Sequence, residues 1–487
     1  MKPKQEHVTE NLVSGPRKFM QMKTSLHPTS RADALNRLQH SQIGLPVSSS
    51  DEAENFITHR KSKLWLFIVA FLLFGYLSMN RSFAYLGIPP LKLFIGELVL
   101  GAFLLTRPQA LFGNWASALL NILPLSGVAW TLYLFLAYGI LQFLRGIATG
   151  HPPFTAIQNL IFNIYPLYLF LGVWIGLQYP TFLPKFFRLF AWWHGLYGIV
   201  YILILDRVPW IIPGSSLEVP VFSAPTGSGV ALLGLFSFEP KLIRVWFLLL
   251  LNACVMLGIQ LRSEWLGFSV GLLVLSLFGK QMRRVLKGVG IVVVLLSLGY
   301  ITDFSLPATS TRGGEISTRG IVGRVIAPLD PKLAAKYTEH SETFVDTVSW
   351  RTTWWQAIWD SVHEDETRSF LGHGYGFQLS SLVPYLEDRP DVRTPHNVFY
   401  YALGYGGWIG VALFFALQFC LARLLWSAYR LTNQPFGIAF WAMSLTWALF
   451  DNFLENPFRA IPFYLLIGLA IAPALSRKET RAQLAGR

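Results

Sequence analysis

Twelve apolar runs, each close to the length that crosses a bilayer, leave this chain few ways to fold. They lie near residues 64–79, 91–106, 123–144, 154–178, 186–206, 221–238, 242–261, 265–279, 285–301, 396–425, 436–450 and 461–475. A hydrocarbon core about 30 Å thick needs roughly 20 apolar residues per helix. The expected fold class is an all-α polytopic membrane protein with about 12 transmembrane helices. Composition agrees, with 53% hydrophobic and only 14% charged residues, where soluble chains carry about 25% charged residues. The sixth run is the weakest, because Ala224-Pro225-Thr226-Gly227-Ser228-Gly229 interrupts it. A broken helix survives at membrane depth only when protein or a cavity surrounds it. Residues 107–122 are too polar to span and are expected to lie flat in the interface.

Twelve spans put both termini on one side, and basic residues choose the side. Lys280, Arg283, Arg284 and Lys287 fill one short turn, Arg423 and Arg430 mark another, and Arg477, Lys478 and Arg481 mark the tail. A cytoplasmic N-terminus places all of them in the cytoplasm. The net charge of +13 therefore reads as cytoplasmic loops and lipid headgroups, with no nucleic-acid partner expected. Residues 1–63 hold ten Lys+Arg and six Asp+Glu, with no early apolar stretch. They read as a disordered cytoplasmic tail with no cleavable signal. The remaining organisation is 64–301 as spans one to nine, 302–395 as a loop domain, 396–476 as spans ten to twelve, and 477–487 as a cytoplasmic tail.

The 94-residue segment 302–395 is then extracytoplasmic, between spans nine and ten. Its 13 acidic and nine basic residues give it a net charge of −4, which suits that side. Within it, Trp350, Trp354, Ile358 and Val362 repeat every fourth residue, a helical stripe expected to lie on the membrane or to cap a cavity. Cys254 and Cys420 both fall in apolar runs and the loop has no cysteine, so neither a disulfide framework nor a cysteine metal site is expected. No internal repeat joins the two halves of the chain, which weighs against a carrier of paired repeats.

Several residues can carry chemistry on the outer side. Arg145 and Arg262 fall at outer ends of spans, and Arg351 lies in the Trp-rich helix. A guanidinium fork binds phosphate well, although arginines near span ends also simply snorkel. His396 follows Thr394-Pro395 at the start of span ten. Thr394 is expected to cap that helix and Pro395 to open its first turn. The positive end of the helix dipole there favours a neutral imidazole, a suitable general base. His363 and His373 flank Glu364-Asp365-Glu366, but the spacing matches no compact metal motif. Gly372-His373-Gly374-Tyr375-Gly376 imitates a nucleotide fingerprint without the βαβ setting one needs. No GxxxxGK[ST] occurs. Asp451 and Glu455, between the last two spans, are expected to solvate a turn.

These residues resemble the bacterial O-antigen ligase and polymerase superfamily. The segment Arg262-Ser263-Glu264-Trp265-Leu266-Gly267 is similar to the family's arginine motif at the outer end of a span. Trp350-Arg351 with the Gly372–Gly376 turn resembles the start of its large periplasmic loop. Pro395-His396-Asn397, with Leu403-Gly404-Tyr405-Gly406-Gly407-Trp408-Ile409-Gly410, resembles the entry to the next span. Ser82-Phe83-Ala84-Tyr85-Leu86-Gly87-Ile88-Pro89-Pro90 has the family's look near the first hairpin. Glu264 stands where a small residue is more usual.

The resemblance implies a glycosyltransferase of the bacterial inner membrane, with no cofactor and no metal. Its partners would be an undecaprenyl-pyrophosphate-linked glycan as donor, a lipid or glycan acceptor, membrane lipids and other envelope polysaccharide assembly proteins. Carried over by residue, His396 matches the essential histidine, and Arg262 and Arg351 the essential arginines. Arg145, Glu264 and Asn397 are expected to contact substrate. A ligase is the first reading and a polymerase of the same superfamily the second. A flippase of lipid-linked glycan is an alternative of another class.

Overall fold

Each of the twelve apolar runs contains a helix in the computed structural model. It describes residues 49–88, 93–108, 126–213, 215, 218–279, 282–307, 309, 315–327, 330–337, 341–387 and 394–485; of 49–61, 126, 331, 341–348 and 477–485 it describes the backbone alone. The expected tail lies outside the described residues up to residue 48, as does the expected interfacial segment beyond residue 108. The chain divides into two units, 1–59 and 60–487. In the first, residues 49–59 are helical. The second holds everything that follows.

The helices are α1 (Ser62–Ala84), α2 (Ile95–Thr106), α3 (Ser126–Ala148), α4 (Pro153–Ile164), α5 (Tyr168–Gln178), α6 (Phe182–Leu203), α7 (Ser228–Phe238), α8 (Trp246–Ile259), α9 (Arg262–Gly279) and α10 (Met282–Ile301). After the polar segment come α16 (Val398–Thr432), α17 (Phe436–Ala448) and α18 (Pro457–Ala485). Among the described residues, seven helices are long and apolar enough to cross a membrane: α1, α3, α4 with α5, α6, α10, α16 and the first 20 residues of α18. Helices α2, α7, α8 and α17 are apolar but have only 11 to 14 residues, about 16–21 Å at 1.5 Å per residue. The expected all-α polytopic class thus holds; of the about twelve transmembrane helices expected, seven are long and apolar enough to span among the described residues, and four more are shorter apolar helices.

The sixth run breaks where the sequence says it should. Helix α7 begins only at Ser228, after an extended stretch held inside the protein. Buried His194 accepts from the Gly227 N–H at Nε2 (3.1 Å), and its Nδ1 lies 3.1 Å from Asn252 Oδ1. The Ser82 N–H donates to Ser223 Oγ, and Tyr197 Oη to the Ser223 carbonyl. The freed backbone polar groups therefore find protein partners.

Helix α18 is the most buried span and packs along α5. Gly172 faces Gly468 and Gly176 faces Ala472, so closely that a Cβ on Gly172 would lie 2.3 Å from the Leu465 carbonyl oxygen. Small residues at this spacing let two helices approach in lipid. The described residues of the polar segment are mostly helical, with α11 (Thr318–Ile326), α12 (Pro331–Ala334), α13 (Ser341–His363), α14 (Glu366–Leu371) and α15 (Pro384–Glu387). A short antiparallel pair, Ser305–Pro307 with Glu315–Ser317, precedes them.

Candidate functional site

The site forms where four helix ends meet under α13. Gln260 turns the chain through a left-handed conformation (φ 56°) between α8 and α9, so Arg262 opens α9. Ser263 then points its hydroxyl at Asp451, donating to Oδ2 at 3.3 Å. Asp451 sits in the turn between α17 and α18, and its other oxygen faces His396 at the entry to α16.

The cap of α16 differs from expectation. Asn397, not Thr394, is the N-cap; its Oδ1 accepts from the Phe399 and Tyr400 N–H groups. Its Nδ2 donates to the Leu449 carbonyl at 2.9 Å, and Thr394 Oγ1 accepts from Asn452 Nδ2. Shifting the cap by three residues leaves His396 just outside the helix, in a left-handed conformation (φ 54°). Such backbone is uncommon for a non-glycine residue and is kept here by the contacts on both sides. It turns the imidazole toward the α17–α18 turn, and Nδ1 lies 3.1 Å from Asp451 Oδ1.

Asp451 and Glu455 depart most from expectation, for both are buried. Asp451 Oδ1 also accepts from the Asn452 N–H, and Oδ2 from Trp447 Nε1 and Arg459 Nη1, the latter at 2.8 Å. Burial alone would raise this carboxyl. Arg459 and His396 beside it overcome that and hold it well below 3.8. An ionised Asp451 can only accept, so it fixes the proton on Nδ1 of the neutral imidazole. Nε2 is left as the basic nitrogen, with no hydrogen bond to the described residues. Burial raises the Glu455 carboxyl to about 8, which keeps it protonated at neutral pH.

Helix α13 closes the site from above. Trp354, Ile358 and Val362 are fully buried, so the fourfold stripe faces protein rather than lipid. Trp355 Nε1 donates to the Pro395 carbonyl (2.6 Å), and its ring stacks on Tyr400. Trp350 meets His396 edge-on at 5.6 Å. The Arg351 guanidinium lies over Trp350 and donates to the Phe450 carbonyl, one residue from Asp451. Arg351 and His396 are thereby brought together, and Arg262 adjoins the Ser263 that touches Asp451.

The other expected residues have local roles. Glu264 is fully buried, and its Oε1 accepts from the Gly229 N–H at 2.8 Å. Its side chain thus ties the start of α9 to the N-terminus of α7. Arg145 donates to the Leu371 and Gly372 carbonyls at 2.7 and 2.9 Å, clamping the glycine turn. Asn397 is committed to capping. In that turn Gly372, Gly374 and Gly376 all have positive φ. The N–H groups of residues 372 to 376 donate to Arg368, Gly404, Tyr405, Gln142 and Asn159, so they cradle protein oxygens and not a phosphate. His373 stacks on Phe377 at 4.1 Å, and burial lowers its imidazole to about 4. His363 stacks instead on Trp359. Among the described residues no group of three or more His, Cys, Asp or Glu gathers as metal ligands.

Two residues that sequence reasoning missed, Asp451 as a partner of His396 and Arg459, had one available signal. Arg459 is the sole charged residue in 457–476, and a lone charge in an apolar span marks a functional or paired site.

Fold and site together define a polytopic helical membrane protein with a histidine–carboxylate pair, held by Arg459 and neighboured by Arg351, where a polar segment closes over the helix ends. Residues 247–415 match the model of the O-antigen ligase family, the superfamily that the motifs resemble. The matched stretch runs from α8 into α16 and contains Arg262, Arg351 and His396. No curated protein matches the chain.

Proposed function

We propose that this protein is an inverting glycosyltransferase that moves a glycan from undecaprenyl pyrophosphate to an acceptor hydroxyl at the outer face of the inner membrane. The observation that carries this reading is the His396–Asp451 pair, with Arg351 bonded to the adjoining Phe450 carbonyl and Arg262 next in sequence to Ser263, which donates to Asp451. His396 Nε2 takes the proton of the attacking hydroxyl as its oxygen bonds to the anomeric carbon. The bond from that carbon to the pyrophosphate oxygen breaks, and its electron pair leaves with the pyrophosphate. Arg351 and Arg262 offset the charge that develops there, and attack opposite the leaving group inverts the centre. A ligase would deliver the glycan to a terminal lipid acceptor, and a polymerase to another lipid-linked repeat.

The test is transfer by purified protein from an undecaprenyl-pyrophosphate glycan in EDTA, comparing wild type with His396→Ala. General bases supply about 10²–10⁴-fold in rate. The variant should lose roughly that much while remaining folded, and product length then separates ligase from polymerase. Transfer at the wild-type rate by His396→Ala would remove His396 from the mechanism. No transfer by folded wild type with matched acceptors would move weight to the flippase.

A further inference from the structure

Arg459 is a buried arginine at the start of α18. Its side chain is 9% exposed and lies over the Trp447 ring at 4.4 Å, with Phe453 and Phe458 beside it. Nη1 donates to Asp451 Oδ2 at 2.8 Å and to the Asn452 carbonyl at 3.1 Å. This grip contrasts with that of Arg351 on α13, which bonds the Phe450 carbonyl rather than Asp451. Asp451 is held from both sides, by Arg459 on Oδ2 and His396 on Oδ1, while the His396 side chain is 24% exposed.

We infer that Arg459 is a positioning residue for His396: by clamping and neutralising Asp451 it keeps that carboxylate an acceptor and leaves Nε2 able to take up a proton. The inference rests on reading His396 as the base. A buried carboxylate needs a cation nearby. If Arg459 is absent, the one remaining ion-pair partner of Asp451 among the described residues is His396, as imidazolium. The pair then keeps an extra proton to higher pH, and the base is lost where it is needed. Among the described residues, no other charged group near the pair makes an ion pair with Asp451. Arg351 is directed to the Phe450 carbonyl, Arg262 opens α9, Glu264 is bound to α7, and Glu455 lies buried in the same turn.

The experiment reads the imidazole directly and needs no turnover. Diethyl pyrocarbonate modifies neutral imidazole, and peptide mass spectrometry follows His396 across pH in the full chain in detergent. Exposed His363 serves as the internal reference. In Arg459→Gln the midpoint of His396 reactivity should rise by about one pH unit, so the rate near pH 7 falls by up to roughly tenfold. Arg459→Lys, which keeps the charge, should stay near wild type. Arg459→Met, which fills the aromatic slot without charge, should behave like Gln. An unshifted midpoint in a folded neutral variant overturns the inference. So does a folded Lys variant shifted as far as Gln. If both neutral variants fail to fold while Lys folds, the role is structural and the inference falls. None of these outcomes depends on glycan transfer, so an inactive wild type would sink the proposed function and leave this result standing.

Discussion

At Glu455, a carboxyl is buried in the α17–α18 turn, where its Oε2 accepts from the Phe453 N–H at 2.8 Å. Burial raises it from 4.5 to about 8, so the folded protein holds a proton there that the unfolded chain releases near pH 4.5. Where the folded state binds more protons, stability falls as pH rises. The contribution is therefore fully present below about pH 4.5 and is lost up to about pH 8. Glu455→Gln removes this term. The apparent melting temperature of the variant should change less between pH 5 and 8 than that of wild type, and equal slopes would show that Glu455 is already ionised. The sequence placed Asp451 and Glu455 in the right turn but gave them a solvated role. Their burial comes from α9 and α16, whose residues lie 188 and 55 positions from Asp451, beyond the reach of local patterning.

Among elements, the glycine turn and α16 show how a short motif becomes architecture. Gly407 interrupts α16 with φ 58°, and the turn docks against the break: the His373 N–H donates to the Gly404 carbonyl and the Gly374 N–H to that of Tyr405. A Cβ on Gly372 would lie 2.5 Å from the Tyr405 carbonyl carbon, whereas one on Gly374 would meet nothing nearer than 3.7 Å. Both positions have positive φ, which costs a non-glycine residue about 1–3 kcal/mol. Overpacking adds about 1–3 kcal/mol at Gly372 alone. Gly372→Ala should therefore lower the apparent melting temperature more than Gly374→Ala does. Equal losses would mean that backbone conformation, not the close approach, decides. The resemblance located this turn, and its spacing imitated a phosphate cradle. Only the partners of its N–H groups tell a docking turn from a binding loop, and the sequence does not contain those partners.

For the whole molecule, the apolar runs were legible because lipid imposes length and composition on each helix separately. Helices α7 and α8 escape that rule by packing against each other and α6, which is why their runs overestimated their lengths. What the site requires is that the ends of α9 and α16, the α17–α18 turn and α13 lie on the outer side. Helix α10 can report this, since it joins the basic turn before it to the polar segment and is only 6% buried, against 83% for α18. Substitutions at its ends should disturb little. In a chain whose Cys254 and Cys420 are replaced by alanine, Arg284→Cys and Asp303→Cys place one thiol at each end. A maleimide that cannot cross the inner membrane should label residue 303 in intact cells and residue 284 only after the membrane is opened, because basic turns stay cytoplasmic. The reverse pattern would put His396 and its arginines in the cytoplasm, away from any glycan presented at the outer face, and the proposed reaction would fail on topology alone.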